Sequence, residues 1–178
     1  MLRGSSGKDV KANSRELHSL LSRLRNSGPN GNVFGDEESL AMADHIRNRY
    51  DTALKAANAV DFDDLLVLTL KLFKEHPKAL EECRARYQYV MVDEYQDTNK
   101  IQSELIDLLG LNHQIMAVGD DAQCIYTWRG ANFENIMTFS DRHPGTVIHK
   151  IEINYRSTPE ILNLANGILS AQPLGMGY

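Results

Sequence analysis

The stretch Val90-Met91-Val92-Asp93-Glu94-Tyr95-Gln96-Asp97-Thr98 decides the fold, because an apolar, valine-rich run delivers two acidic side chains to its carboxyl end. A nucleoside triphosphatase uses such a strand tip to hold magnesium and water. The first carboxylate supports the Mg²⁺ shell and the next orients the attacking water. Asp93 and Glu94 stand at those two positions. An Asp-Glu pair at a strand end is also a common solvated turn, so the pair alone leaves both readings open.

Upstream of this strand the pattern is helical. Asn13 or Ser14 can cap a helix carrying Leu17, Leu20, Leu21 and Leu24 at helical spacing, and the Asn/Gly/Pro-rich residues 26–32 break it. A second helix is predicted from about Asp36 to Asn58, with Leu40, Ala43, Ile46, Tyr50 and Leu54 on one face. Asp61, with Asp64 three residues on, caps a third, and Pro77 suits the first turn of a fourth. Downstream the texture alternates. A helix over about Lys100 to Leu109, a strand at Ile115 to Val118, a short helix near Asn132 to Phe139, a strand at Val147 to Ile153 and a helix opened by Pro159 follow in order. Strand and helix in alternation imply α/β architecture, a parallel sheet with flanking helices. The predicted division is a helical region over residues 1–86, an α/β unit over 87–153, and a further segment over 154–178.

Composition narrows the class. With 178 residues and 42% hydrophobic content, the chain can bury one sizeable core. No apolar run is long enough to cross a bilayer and Met1 to Gly7 lacks the apolar stretch of a secretory signal, so a cytoplasmic protein without membrane association is expected. Cys83 and Cys124 have no Cys or His partner at metal-ligand spacing and read as structural thiols. The net charge of -5 argues against holding nucleic acid by bulk electrostatics. The start is nevertheless basic: Arg3, Lys8, Lys11, Arg15, Arg23 and Arg25 face only Asp9 and Glu16 through residue 30. Those side chains either touch phosphates or form a solvated helix face.

Two more loops carry chemistry. Gly119 to Ala131 follows an apolar strand: Gly119 permits a sharp turn, Gln123 can sense a phosphate or water, and Tyr126, Trp128 and Arg129 interleave flat faces with a cation. Such a set suits stacking on unpaired bases, at about 1–3 kcal/mol per base. The alternative is that Trp128 belongs to the core and Arg129 to the surface. In Asn154-Tyr155-Arg156-Ser157-Thr158, Arg156 stands where a strand gives way to a helix. From there a guanidinium can neutralise charge on a transferring phosphoryl group, or it can simply satisfy a loop carboxylate. Tyr155 can stack on an adenine.

In this order and spacing, Asp93 to Asn99, Gly119 to Ala131 and Asn154 to Thr158 resemble motifs of the UvrD, Rep and PcrA family of superfamily 1 DNA helicases. Asp61-Phe62-Asp63-Asp64-Leu65-Leu66 resembles a further family segment, so the likeness runs from about Asp61 to Ile168. The resemblance implies a partial RecA-like P-loop NTPase domain preceded by a helical subdomain, with residues 154–178 opening a second motor domain. It implies ATP and Mg²⁺ as cofactors, Asp93 on Mg²⁺, Glu94 as catalytic base, Gln123 reading the γ-phosphate, Arg156 as arginine finger and Tyr155 near the adenine. For DNA it implies Phe62, Tyr126, Trp128 and Arg129, acting on single strands and duplex junctions during 3′ to 5′ translocation.

The sequence also departs from that pattern. It contains no Gly-x-x-x-x-Gly-Lys-Ser/Thr loop. Gly4-Ser5-Ser6-Gly7-Lys8-Asp9 fails because Leu2 stands five before Gly7 and Asp9 replaces the Mg²⁺-binding hydroxyl. Ala122 and Cys124 occupy positions where an acidic or polar residue and a serine are expected. Two readings follow: an internal piece of an ATP-dependent helicase, inactive alone as an ATPase, or a non-enzymatic module that binds single-stranded DNA or another helicase.

Overall fold

A computed structural model describes residues 18, 21, 22, 25, 26, 37–110, 114–126 and 131–171, with backbone only for 37–43. Helix α1 (Glu37–Ala56) is followed by α2 (Phe62–Glu75) and α3 (Pro77–Arg86). The predicted cap of α2 is present as a reciprocal box. Asp64 N donates to Asp61 Oδ1 at 2.8 Å and Asp61 N donates to Asp64 Oδ2 at 3.1 Å, satisfying two otherwise orphaned amides. Pro77 occupies the first turn of α3, where a missing N–H costs nothing.

Strand β1 (Val90–Val92) then leads through a 3₁₀ turn at Tyr95–Asp97 into α4 (Lys100–Leu109) and on to β2 (Ile115–Ala117). The strands pair in parallel, Val90 with Ile115, Met91 with Met116 and Val92 with Ala117, so α4 is the crossover helix. Asn99 caps it in a second reciprocal box with Gln102. One core joins these helices. Leu70 and Phe73 of α2, Leu80 of α3, and Ile101 and Leu105 of α4 are buried together, with Leu66, Val67, Cys83, Leu108 and Leu109 around them. The sheet face bearing Met91 and Met116 is exposed.

Two expectations change. The helix expected near 132–139 is two short ones, α5 (Phe133–Met137) and α6 (Phe139–Arg142). At the break, Thr138 Oγ1 donates to Glu134 O at 2.7 Å, a local bond that competes with a continuous helix. The strand expected over 147–153 forms no ladder among the described residues, and Val147, Ile148, Ile151 and Ile153 are exposed. β-branched composition favours a strand only where a neighbour accepts its hydrogen bonds, and none of the described residues does so for this segment. Helix α7 (Pro159–Ser170) follows, as Pro159 predicts, with no buried residue.

The caps expected at Asn13 or Ser14 lie outside the described residues, but residues 18, 21, 22, 25 and 26 are helical. Arg25 is not part of a solvated face. Its guanidinium binds Asp61 Oδ2 at 2.8 Å, Asp64 Oδ1 at 3.3 Å and Asp51, and lies 5.6 Å from the Tyr50 ring centroid. A cation surrounded by three carboxylates ties the first helix to α1 and to the start of α2.

Candidate functional site

β1 ends at Asp93 and Glu94, both exposed. Glu94 adopts the left-handed backbone region, φ 50° and ψ 44°, which is strained for a residue with a Cβ. Local bonds hold it there. Asp93 Oδ1 accepts from Glu94 N at 3.0 Å, Glu94 O accepts from Asp97 N at 2.9 Å, and Tyr95 N donates to Val118 O at 2.9 Å. The turn thus pins the acidic pair to the end of β2.

The side chain that organises the pair is Gln96, 1% exposed. Its Nε2 donates to Glu94 Oε2 at 2.8 Å, and its Oε1 accepts from Asp120 N at 3.1 Å. Those partners fix the amide's orientation, since the opposite one would set oxygen against carboxylate and N–H against N–H. Asp120 in turn accepts from Ala122 N at 3.0 Å and from Gln123 Nε2 at 2.7 Å. Gln123, expected to read a phosphate, therefore rests on Asp120. The sulfhydryl of buried Cys124 donates to Gln96 O at 3.4 Å. Burial, and then the charge of Asp97, push the Cys124 thiol above its usual range, so it keeps the proton it donates. That explains how a thiol serves where a serine is expected.

Gly119 is needed by close approach. A Cβ there would lie 2.7 Å from Gln96 Oε1 and 2.9 Å from Ile136 Cδ1. Beside the pair opens a cleft of about 440 Å³ lined by Leu66, Asp93, Glu94, Asp97, Thr98 and Gln102. Asp97 Oδ1 is buried with no hydrogen-bond partner among the described residues. Oxygen donors alone suit a hard cation, and Mg²⁺ takes one or two carboxylates and completes its octahedron with water and phosphate oxygens. Among the described residues no three His, Cys, Asp or Glu side chains gather into a protein-only metal cage. The residues therefore fit Mg²⁺ as a shared ligand and do not fit it as an enclosed one.

Phe62, at the first turn of α2, is 90% exposed. It is tied to the acidic loop through buried amides: Asn26 Nδ2 donates to Asp63 Oδ1 at 2.9 Å and Asn99 Nδ2 donates to Asn26 Oδ1 at 3.1 Å. Tyr126 lies at the surface, and Trp128 and Arg129 lie outside the described residues. Tyr155 and Arg156 occupy an exposed turn closed by Asn154 Oδ1, which accepts from Arg156 N at 2.8 Å and Ser157 N at 2.9 Å. Among the described residues, no hydrogen bond or ion pair joins the Arg156 side chain to the acidic pair. Asp93, Glu94 and Gln123 are thus one bonded set, and Tyr155 and Arg156 stand apart from it.

Sequence reading passed over Gln96, Asp120 and Arg142. Buried Tyr95 packs edge-on against Phe139 at 5.2 Å, and its hydroxyl meets Ser103 Oγ at 3.1 Å and Arg142 Nη2 at 2.9 Å. Arg142 also binds Asp107 and donates to Asn135 O at 2.8 Å, anchoring the turn from behind. The one signal in sequence was an amide two residues after the acidic pair.

Comparison with known proteins gives a consistent result. Residues 7–144 match the model of the UvrD/REP helicase N-terminal domain. The chain is 45% identical over 129 residues to the ATP-dependent DNA helicase PcrA of Staphylococcus epidermidis, covering 72% of this chain and 18% of that protein. It is 43% identical over 126 residues to the ATP-dependent DNA helicase PcrA of Leuconostoc citreum, covering 70% of this chain and 17% of the relative. The Staphylococcus aureus protein of that name is 43% identical over 129 residues, 72% of this chain and 18% of its own. The chain therefore spans less than a fifth of the length of these relatives.

Proposed function

This chain belongs to the UvrD/REP helicase family, and on that premise we propose that it supplies the magnesium-holding and water-activating part of an ATP-driven DNA helicase motor. The observation that carries the reading is the bonded set at the tip of a parallel strand. There Asp93 lies beside a Glu94 held by a buried amide that also reaches the loop of Gln123.

In this reading Asp93 ligates Mg²⁺. When bound, Mg²⁺ and ATP supply the phosphoryl group and the charge that polarises it. Glu94 accepts the proton of the attacking water, and its fixed carboxylate keeps the acceptor lone pair on the water's path. Gln123 exchanges its bond to Asp120 for the γ-phosphate, so that the loop reports whether a phosphate is present. Arg156 neutralises charge on the phosphoryl oxygens and Tyr155 packs against the adenine. Phe62, Tyr126, Trp128 and Arg129 grip single-stranded DNA near a duplex junction, and each hydrolysis cycle steps the protein along that strand in the 3′ to 5′ direction. Residues 87–153 act as the later half of a RecA-like core, residues 1–86 as part of its helical insertion, and residues 154–178 as the start of the second motor domain. Since the sequence holds no Gly-x-x-x-x-Gly-Lys-Ser/Thr loop, the 178-residue chain alone is expected to hydrolyse no ATP.

The test exchanges residues 61–168 into the S. epidermidis PcrA helicase in place of the matching segment. Arg156→Lys should lower kcat about 10³-fold with little change in nucleotide binding, while Phe62→Ala should mainly remove stimulation by DNA. Equal effects of both substitutions on nucleotide binding would overturn this division of roles.

A further inference from the structure

We propose that Gln96 is a positioning residue that couples the γ-phosphate-sensing loop to the water-activating carboxylate, its two amide ends each serving one of them. This deepens the ATPase reading and rests on it for the roles of Glu94 and Gln123. The path is short and continuous: Glu94 Oε2, Gln96 Nε2 at 2.8 Å, Gln96 Oε1 to Asp120 N at 3.1 Å, and Asp120 Oδ2 to Gln123 Nε2 at 2.7 Å.

Three further observations make Gln96 more than a space-filler. At 1% exposure its amide has no water to replace a lost partner, so each end must be bonded or left unsatisfied. Its main chain is fastened to the same loop, Gln96 O accepting from Cys124 Sγ at 3.4 Å. The glycine at 119 leaves only enough room for this amide, since a Cβ would stand 2.7 Å from Gln96 Oε1.

The consequence is mechanical. When Gln123 leaves Asp120 for a phosphate, the Asp120 backbone is freed to shift, and any shift is passed through one rigid amide to the Glu94 carboxylate. The coupling has two separable halves. Gln96→Met keeps the volume and removes both bonds. Gln96→Glu keeps an acceptor for Asp120 N and replaces the amide donor to Glu94 by a second carboxyl, which repels that carboxylate or competes for its proton.

The experiment reads both halves. Site-resolved amide hydrogen exchange on the 178-residue chain should show the Asp120 N–H exchanging about three- to tenfold faster in Gln96→Met, the equivalent of one ordinary hydrogen bond. In Gln96→Glu it should exchange at the unsubstituted rate. In the segment-exchanged PcrA helicase, both variants should lose about 10²-fold in kcat, the cost of a misplaced reacting group, with the KM for ATP changed less than threefold. A Gln96→Glu variant with full kcat, or a Gln96→Met variant with unchanged exchange at Asp120, overturns the proposal. So does a loss confined to KM. If the unsubstituted exchanged helicase hydrolyses no ATP, the ATPase reading fails, and with it the kinetic half of this proposal. The exchange rates at Asp120 still decide the link.

Discussion

Replacing Gly119 by alanine adds a single methyl at the tightest point of the site. The new Cβ would meet Gln96 Oε1 at 2.7 Å and Ile136 Cδ1 at 2.9 Å, both inside normal contact, while the backbone conformation itself suits any residue. Gln96 is a flexible side chain but cannot swing aside, because it is buried and bonded at both ends. Overpacking of this kind costs about 1–3 kcal/mol. Losing the Gln96 to Asp120 bond adds about 0.5–1.5 kcal/mol, so the expected loss is about 1.5–4.5 kcal/mol. In urea unfolding followed by circular dichroism, with a slope near 2 kcal/mol per molar, the midpoint should fall by about 1–2 M. Two internal controls define the mechanism. Ile136→Val in the Gly119→Ala background removes one of the two clashes and should restore part of the loss. Gly167→Ala, in α7 with nothing among the described residues within 4 Å of the new methyl, should instead stabilise that helix by about 0.5–1 kcal/mol. A Gly119→Ala chain whose midpoint stays within about 0.2 M of the unsubstituted one, under about 0.5 kcal/mol at that slope, would refute the close-packing argument.

Other perturbations have expected signs. Arg25→Met strands Asp51, Asp61 and Asp64 together and should cost about 2–3 kcal/mol, below the figure for a fully buried pair because Asp51 can rehydrate. Burial pushes the Asp61 carboxyl up, but hydrogen bonds from Asp64 N–H and the Tyr50 hydroxyl, with the Arg25 charge, outweigh it and hold the group below its ordinary 3.8. Its stabilising contribution is therefore complete above pH 3.8 and is lost as pH falls through the lower folded value. Arg25→Met should flatten that acid limb in a melting-temperature series. Asn99→Ala removes the α4 cap and the bond to Asn26 and should cost about 1–2 kcal/mol, measurable by the same urea titration. Tyr95→Phe leaves Ser103 and Arg142 short of a partner in a buried site and should cost about 1–2 kcal/mol, seen as a lower melting temperature.

Much of this was legible in sequence where the signal is local. The α2 box could be read from Asp61 and Asp64, the α3 start from Pro77, and the strand that delivers Asp93 and Glu94 from its valines, because caps and short apolar runs are decided within a few residues. What failed was non-local. Residues 147–153 have strand composition, but no neighbour among the described residues pairs with them, and pairing is a property of the partner as much as of the segment. Arg25 looked like a surface cation until three aspartates from two other helices met it. Gln96 could not be distinguished from a solvated glutamine, because its two partners lie 2 and 24 residues away and only the fold brings them to one amide.

The most direct test is ATP hydrolysis by the PcrA helicase carrying residues 61–168 of this chain, with single-stranded DNA and Mg²⁺, before and after Glu94→Gln. The account predicts DNA-stimulated turnover that falls by about 10²- to 10⁴-fold in the variant, the range for a positioned general base, with ATP binding retained. Turnover unchanged by Glu94→Gln, or a folded exchanged protein that binds DNA and hydrolyses no ATP, would contradict it.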